Sequence, residues 1–228
     1  MSLSCRDDLI RIVYAREQEL TPRYLRGVEP RRRRRRLGGA LGNAHLTSLT
    51  GIVLVVLLAV EGATIPFLRH LLSVHIFVGM LLLGPVALKL GSTGYRFARY
   101  YLGADDFVRA GPPVAPMRFF VAPVLVVSTI TLFTTGVILL AVPHRGLVLG
   151  LHKASFAVWF GATAIHVLAY TGRALRHLVD EILDRRTRGV GTRALAIVLS
   201  LAIGAAVALG TYSLATPWLQ HAFDVTGN

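Results

Sequence analysis

Five long stretches of mostly apolar residues dominate the chain, at roughly 44–67, 72–92, 119–142, 147–170 and 194–215. Each is long enough for a helix to cross the ~30 Å hydrocarbon core of a bilayer. They lack the in–out alternation of barrel strands and are much longer than one. The pattern predicts an all-α, integral-membrane helical bundle. Polar punctuation separates the spans. A tight turn at 68–71 surrounds Arg69, and a connection at 93–118 ends in the proline-rich AGPPVAP. Pro143 and Gly146 mark the 143–146 turn. The 171–193 stretch extends the fourth helix until the Gly-containing RGVG breaks it.

Charge changes the picture once it is located. The net charge of +13 resembles a nucleic-acid signal, but 21 of the 25 Lys and Arg lie on one side of the predicted topology. Eleven precede the first span, four lie between the second and third, and six between the fourth and fifth. Only Arg69, Arg145 and Lys153 flank the other side, and Lys89 falls within a span. Positive loops stay inside, so the N-terminus is expected in the cytoplasm and the C-terminus outside. The run Arg31–Arg36 has no aromatic platform or nucleic-acid module beside it. It reads as a topology anchor meeting anionic lipid, and no nucleic-acid partner is expected. The segment DLIRIVYAREQEL has amphipathic helical spacing, and the first 25 or so residues hold no apolar h-region, so no cleavable signal peptide is expected. The preference for Arg over Lys points to a GC-rich bacterial genome, hence a bacterial plasma membrane.

The candidate chemistry lies in histidines. His152 and His166 are fourteen residues apart on the fourth span. That is nearly four helical turns, so both rings leave almost the same face, ~21 Å apart along the axis. Neutral imidazole is a common haem-iron ligand. The topology gives each histidine a depth: His45 and His166 near the cytoplasm, His75 and His152 near the outside. A six-coordinate haem takes one axial ligand above its plane and one below. Pairing His75 with His152 and His45 with His166 therefore accommodates two stacked haems. A lone histidine in a membrane helix is more often a hydrogen-bonded core residue, but four at complementary depths favour ligation. Cys5 is the only cysteine and no Cys-x-x-Cys-His attachment motif exists, so both haems are expected to be non-covalent and b-type.

A flat macrocycle needs small neighbours. Gly79, Ser155 and Thr163 each lie one turn from a predicted ligand; Ile52 and Gly51 near His45 do not follow this rule. Trp159, seven residues from both fourth-span histidines, reads equally as a filler between haems or as a core aromatic. Lys89 is fourteen residues from His75, with Arg96 two turns beyond. Both are candidate partners for haem propionates. Lys89 reads equally well as snorkelling to headgroups, and as an axial ligand replacing His45 it is the least favoured option. Arg69 and Arg145 read as propionate partners or turn charges. Glu61 points away from the His45 side and reads as a water-facing rim carboxylate in preference to a proton-transfer group for a quinol. His70, His144, His177 and His221 read as surface residues, with His70 the first substitute for His75.

This arrangement resembles the bacterial di-haem cytochrome b561 family, whose broader group includes the cytochrome b membrane subunits of hydrogenases and formate dehydrogenases. The resemblance covers residues 43–172. It implies a four-helix di-haem core, with His45 and His166 on the cytoplasmic haem and His75 and His152 on the external one. It also implies exchange with a quinone and with a peripheral or multi-subunit oxidoreductase, the chain acting as an electron-transfer subunit. Around that core lie a basic arm (1–42), a basic connection (173–193), and a fifth transmembrane helix with its tail (194–228). The fifth span carries no histidine and is rich in small residues. Ala206 and Gly210 form a small-xxx-small pair suited to close helix contact, and Tyr212 and Trp218 suit an outer interfacial belt. The competing expectation is a haem-free membrane scaffold, assembly factor or small transporter. A transporter would show inverted repeats or broken helices, and neither is visible.

Overall fold

The computed structural model describes residues 39–112, 115–142, 146–183 and 189–219. The DLIRIVYAREQEL segment, Cys5, the arginine run, Pro143, His144, Arg145 and His221 fall outside these ranges. Among the described residues the α-helices follow in the order α1 Ala40–Thr64, α2 Leu68–Tyr101, α3 Asp105–Ala110, α4 Ala122–Ala141, α5 Gly146–Leu183 and α6 Val190–Thr211. No strand occurs among the described residues. Four helical stretches (Ala40–Tyr101, Met117–Ala141, Gly146–Leu183 and Val190–Leu219) are long and apolar enough to cross a membrane. The first folds back on itself, so the chain is an all-α, multi-pass membrane bundle of five long helices.

The first reversal sits slightly earlier than the expected 68–71 turn. A single 3-10 turn, Ile65–Phe67, carries Pro66 at its start, and the backbone leaves helical geometry at Phe67 (φ −114°, ψ 27°) and again at Leu71 (φ −112°, ψ 19°). Proline has no N–H to continue the i→i−4 ladder, so the break begins there. Arg69 consequently lies on the first turn of α2 instead of in a loop. The hairpin is laced at its other end by Asn43 Nδ2 donating to the Ser92 carbonyl (3.0 Å) and Thr47 Oγ1 donating to Ser92 Oγ (3.0 Å).

Large apolar side chains point outward along the bundle, with Leu168 82% and Phe160 61% exposed. In lipid this is the expected state, because the solvent is as apolar as the core and backbone polar groups are satisfied within each helix. Cohesion must then come from close packing and polar contacts. Leu54, Val78 and Leu82 form one buried cluster between α1 and α2, and Met80, Leu140 and Ala208 belong to a second that joins α2, α4 and α6.

The tightest contact is between α2 and α6. A Cβ added to Gly84 would overlap the Ser200 carbonyl oxygen, and one added to Gly204 would overlap the Leu81 carbonyl oxygen. Pro85, buried in mid-α2, explains why these backbones meet. Its missing N–H leaves the Leu81 carbonyl without its helical donor. Gly204 directs a Cα–H at that oxygen, a weak hydrogen bond open only to a residue without a side chain. The contact stripe on α6 is therefore Ser200, Gly204 and Ala208, all buried. The expected pair, Ala206 and Gly210, is exposed instead. The small-residue motif was right in kind, but its face is set by where Pro85 frees a carbonyl. Near the end of the bundle that holds the 65–71 reversal, the Trp218 indole donates to the Leu139 carbonyl (2.9 Å), so this residue ties the segment after α6 to α4.

Gly84→Leu or Gly204→Leu is expected to destabilise the bundle by about 3 kcal/mol or more, since neither backbone can yield without separating the helices. Gly210→Leu should be nearly neutral. Thermal midpoints of the three variants in one detergent check the contrast.

Candidate functional site

Helix α2 brings His75 against the end of α1. His75 Nδ1 lies 3.0 Å from Glu61 Oε1 and 2.9 Å from Thr64 Oγ1, while the Thr64 hydroxyl donates to the Glu61 carbonyl (2.6 Å). Thr64 has spent its proton on that carbonyl and the carboxylate can only accept, so Nδ1 carries the His75 proton. In the neutral ring Nε2 then keeps its lone pair. Glu61 is thus a partner of His75 instead of a water-facing rim group. The helical wheel does place it opposite His45, but the hairpin turns that far side of α1 onto α2. Gly79, one turn from His75, lets the carboxylate lie against α2: a Cβ there would stand 3.4 Å from Glu61 Oε1.

His152, on α5, meets α4 in the same way. Its Nδ1 lies 3.1 Å from the Leu132 carbonyl and 3.1 Å from Thr135 Oγ1, and the Thr135 hydroxyl donates back to the Thr131 carbonyl (2.7 Å). Gly136 opens the space, since a Cβ would sit 3.3 Å from His152 Cε1. Nδ1 again holds the proton and Nε2 stays free. Trp159, one of the α5 residues between the two histidines, donates from Nε1 to Thr129 Oγ1 (3.0 Å) and is tied into the α4–α5 contact.

The opposite end is arranged differently from expectation. His45 Nδ1 bonds Glu181 Oε2 (3.1 Å), and its ring stacks on His177 with centroids 4.5 Å apart and planes 9° apart. Its ring neighbour on α5 is therefore His177, eleven residues beyond His166. Side chains lean toward the N-terminus of their own helix, so His45 on α1 and His177 on antiparallel α5 lean toward each other. His177 is not the surface residue expected: it is half-buried and its Nδ1 lies 2.8 Å from Ser48 Oγ. Sequence reading missed it by ending the functional helix at the membrane boundary. It also missed Glu181 and Arg193. Arg193 clasps Glu181 through Nε on Oε1 (2.9 Å) and Nη2 on Oε2 (2.9 Å), with both side chains about nine-tenths buried.

His166 lies between these ends. Its ring packs against Tyr170 (4.8 Å between centroids), and Lys89 is within electrostatic range. The Lys89 ammonium donates to the Thr47 carbonyl (2.6 Å) instead of reaching out to headgroups. Gly51 makes that possible, because a Cβ there would stand 2.9 Å from Nζ. This accounts for a glycine that the ligand-face argument left unexplained. Arg96 reaches the Gly111 carbonyl at 3.4 Å, and His70 is exposed.

No group of three or more His, Cys, Asp or Glu among the described residues is placed to hold a bare metal ion. A bis-histidine haem needs only two protein ligands. The residues fit such a group on two counts. Three of the four candidate ligands have Nδ1 held by an acceptor, the outer-shell arrangement that orients metal-binding histidines through Nε2. In addition, Glu61 Oε2 and Thr163 Oγ1 are buried with no hydrogen-bond partner among the described residues, and each belongs to a residue beside a predicted ligand. No protein-family model, curated protein or solved structure matches the chain.

Removing one partner of the Glu181–Arg193 pair strands a buried charge. Arg193→Met is expected to cost about 3–5 kcal/mol, and Arg193→Met combined with Glu181→Met to recover part of it. Thermal denaturation of the single and double variants measures the coupling.

Proposed function

We propose that the protein is a membrane-embedded b-type cytochrome that carries electrons across a bacterial plasma membrane as a subunit without substrate chemistry of its own. The observation that carries this reading is the shared state of His45, His75 and His152, each with Nδ1 on an oxygen acceptor and Nε2 free. His75 and His152 would hold one haem, and His166 with His45 the second. Bound haem supplies one-electron transfer. The protein's part is to fix the ligands, exclude water and set the local charge. Glu61 and the Leu132 carbonyl draw on the Nδ1 protons and make the opposite nitrogens more basic. Lys89 would serve a propionate of the second haem, with Arg96 further along the same helix. For His45 to serve as a ligand its ring must leave the stack on His177.

The charge asymmetry supports a cytoplasmic N-terminus, with which His45 would lie on the inner side. A quinone and a peripheral or multi-subunit oxidoreductase are the proposed exchange partners, on the strength of the cytochrome b561 resemblance. One observation favours a second reading, a haem-free scaffold or assembly factor. At the inner end His45, His177, Glu181 and Arg193 already satisfy one another.

Purified protein is expected to give two haems per chain in a pyridine haemochrome assay, both extractable by acid acetone. His75→Ala and His152→Ala should remove the same redox component, and His45→Ala and His166→Ala the other. One haem per chain, insensitive to His45→Ala, would close the inner site. None, after haem supplementation, would favour the scaffold.

A further inference from the structure

Where α2 ends and α4 begins, three aromatic rings gather around one arginine. The Arg118 guanidinium carbon lies 4.9 Å from the Tyr101 ring centre, 5.1 Å from Phe119 and 5.6 Å from Tyr100. Tyr100 and Tyr101 close the last turn of α2. Arg118 and Phe119 belong to a π-helical turn, Met117–Val121, that leads into α4. Such turns are rare and frequently mark functional sites. Here the π turn accompanies an arrangement in which an arginine lies against the ring of the very next residue.

The cation lies within about 6 Å of three ring centres, and a ring attracts it through its π face without taking up its N–H donors as an oxygen acceptor would. Arg118 is half-buried, yet it makes no hydrogen bond or ion pair among the described residues. Among the described residues its charge is held by rings and not by an anion. A guanidinium presents a planar fork that matches two oxygens of a phosphate. Around it Tyr101, Leu102, Phe119 and Phe120 are exposed, an apolar rim continuous with the outward residues Val124 and Val127 of α4. Arg99, over the Phe107 ring at 5.8 Å, adds a second cation nearby in sequence on α2.

We propose that Arg118, Tyr100, Tyr101 and Phe119 form a headgroup site for an anionic phospholipid. The phosphate sits on the guanidinium fork and the acyl chains run along Phe119, Phe120 and the exposed face of α4. The ligand is a lipid because the apolar rim runs into the membrane-facing surface of a spanning helix, and anionic because the cation held by the rings has no counter-charge among the described residues.

The test uses the full chain in vesicles of equimolar phosphatidylglycerol and phosphatidylcholine. A trace of phosphatidylglycerol carries a photoreactive group beside its headgroup, and peptide mapping locates the label. Label is expected on peptides containing Tyr100, Tyr101 or Phe119. Arg118→Gln should reduce it about 5-fold, the worth of one arginine at an anionic surface. Arg69→Gln, on the first turn of α2, should leave it unchanged. Tyr101→Leu keeps the charge and removes a ring, so it should also weaken labelling, and it tests the site if Arg118→Gln fails to fold. Equal labelling by a phosphatidylcholine probe, or labelling indifferent to both Arg118→Gln and Tyr101→Leu, overturns the proposal. Displacement of the label by excess inorganic phosphate would reassign the site to a free anion and overturn the lipid.

Discussion

An ionisable group inside an apolar bundle must be paired, because desolvating an isolated charge costs several kcal/mol or more. Glu61 is the only acidic residue in the five predicted spans, and Glu181 lies on the extension of the fourth. Both close on the Nδ1 of a histidine, His75 and His45 respectively. One pairing settles several things together. It gives one carboxylate oxygen a donor, fixes the tautomer of the ring, and determines which nitrogen faces the remaining space. The Leu132 carbonyl does the same for His152 without a charge.

Polar fixation of this kind requires helices that do not slide. The α2–α6 contact supplies the restraint on one side of α2, where Gly84 and Gly204 allow backbone to touch backbone beside Pro85. On the other side of α2, Lys89 fastens the helix to α1 through the Thr47 carbonyl. Helix α2 carries His75 and is held on both flanks. Helix α5 is held by Trp159 on Thr129 at one level and by the Glu181–Arg193 clasp at another. Each candidate ligand therefore sits on a helix with an identifiable tie near it.

Most of the architecture was legible in the sequence. The five apolar stretches became five long helices, because a run of some twenty apolar residues has few alternatives in a bilayer. What failed to read through depends on the relation between helices. The Ala206–Gly210 stripe was a sound motif on the wrong face, since only the carbonyl freed by Pro85 selects Gly204. Glu61 was assigned to the rim from its angle to His45, although the hairpin turns that angle inward. His177 was passed over because it lies past the apolar stretch, where helical side chains still lean back toward the bundle. His45 is drawn to Glu181 and His177 instead of to His166.

The claim on which the functional account rests is that the candidate ligands offer Nε2 while Nδ1 keeps its proton. Nitrogen hyperfine spectroscopy of the oxidised protein, with histidine isotopically labelled at Nδ1 or at Nε2, tests it directly. The account predicts a low-spin ferric signal with strong coupling to labelled Nε2 and only weak, remote coupling to labelled Nδ1. Direct coupling to Nδ1, or the absence of any low-spin ferric signal in haem-supplemented protein, would contradict it.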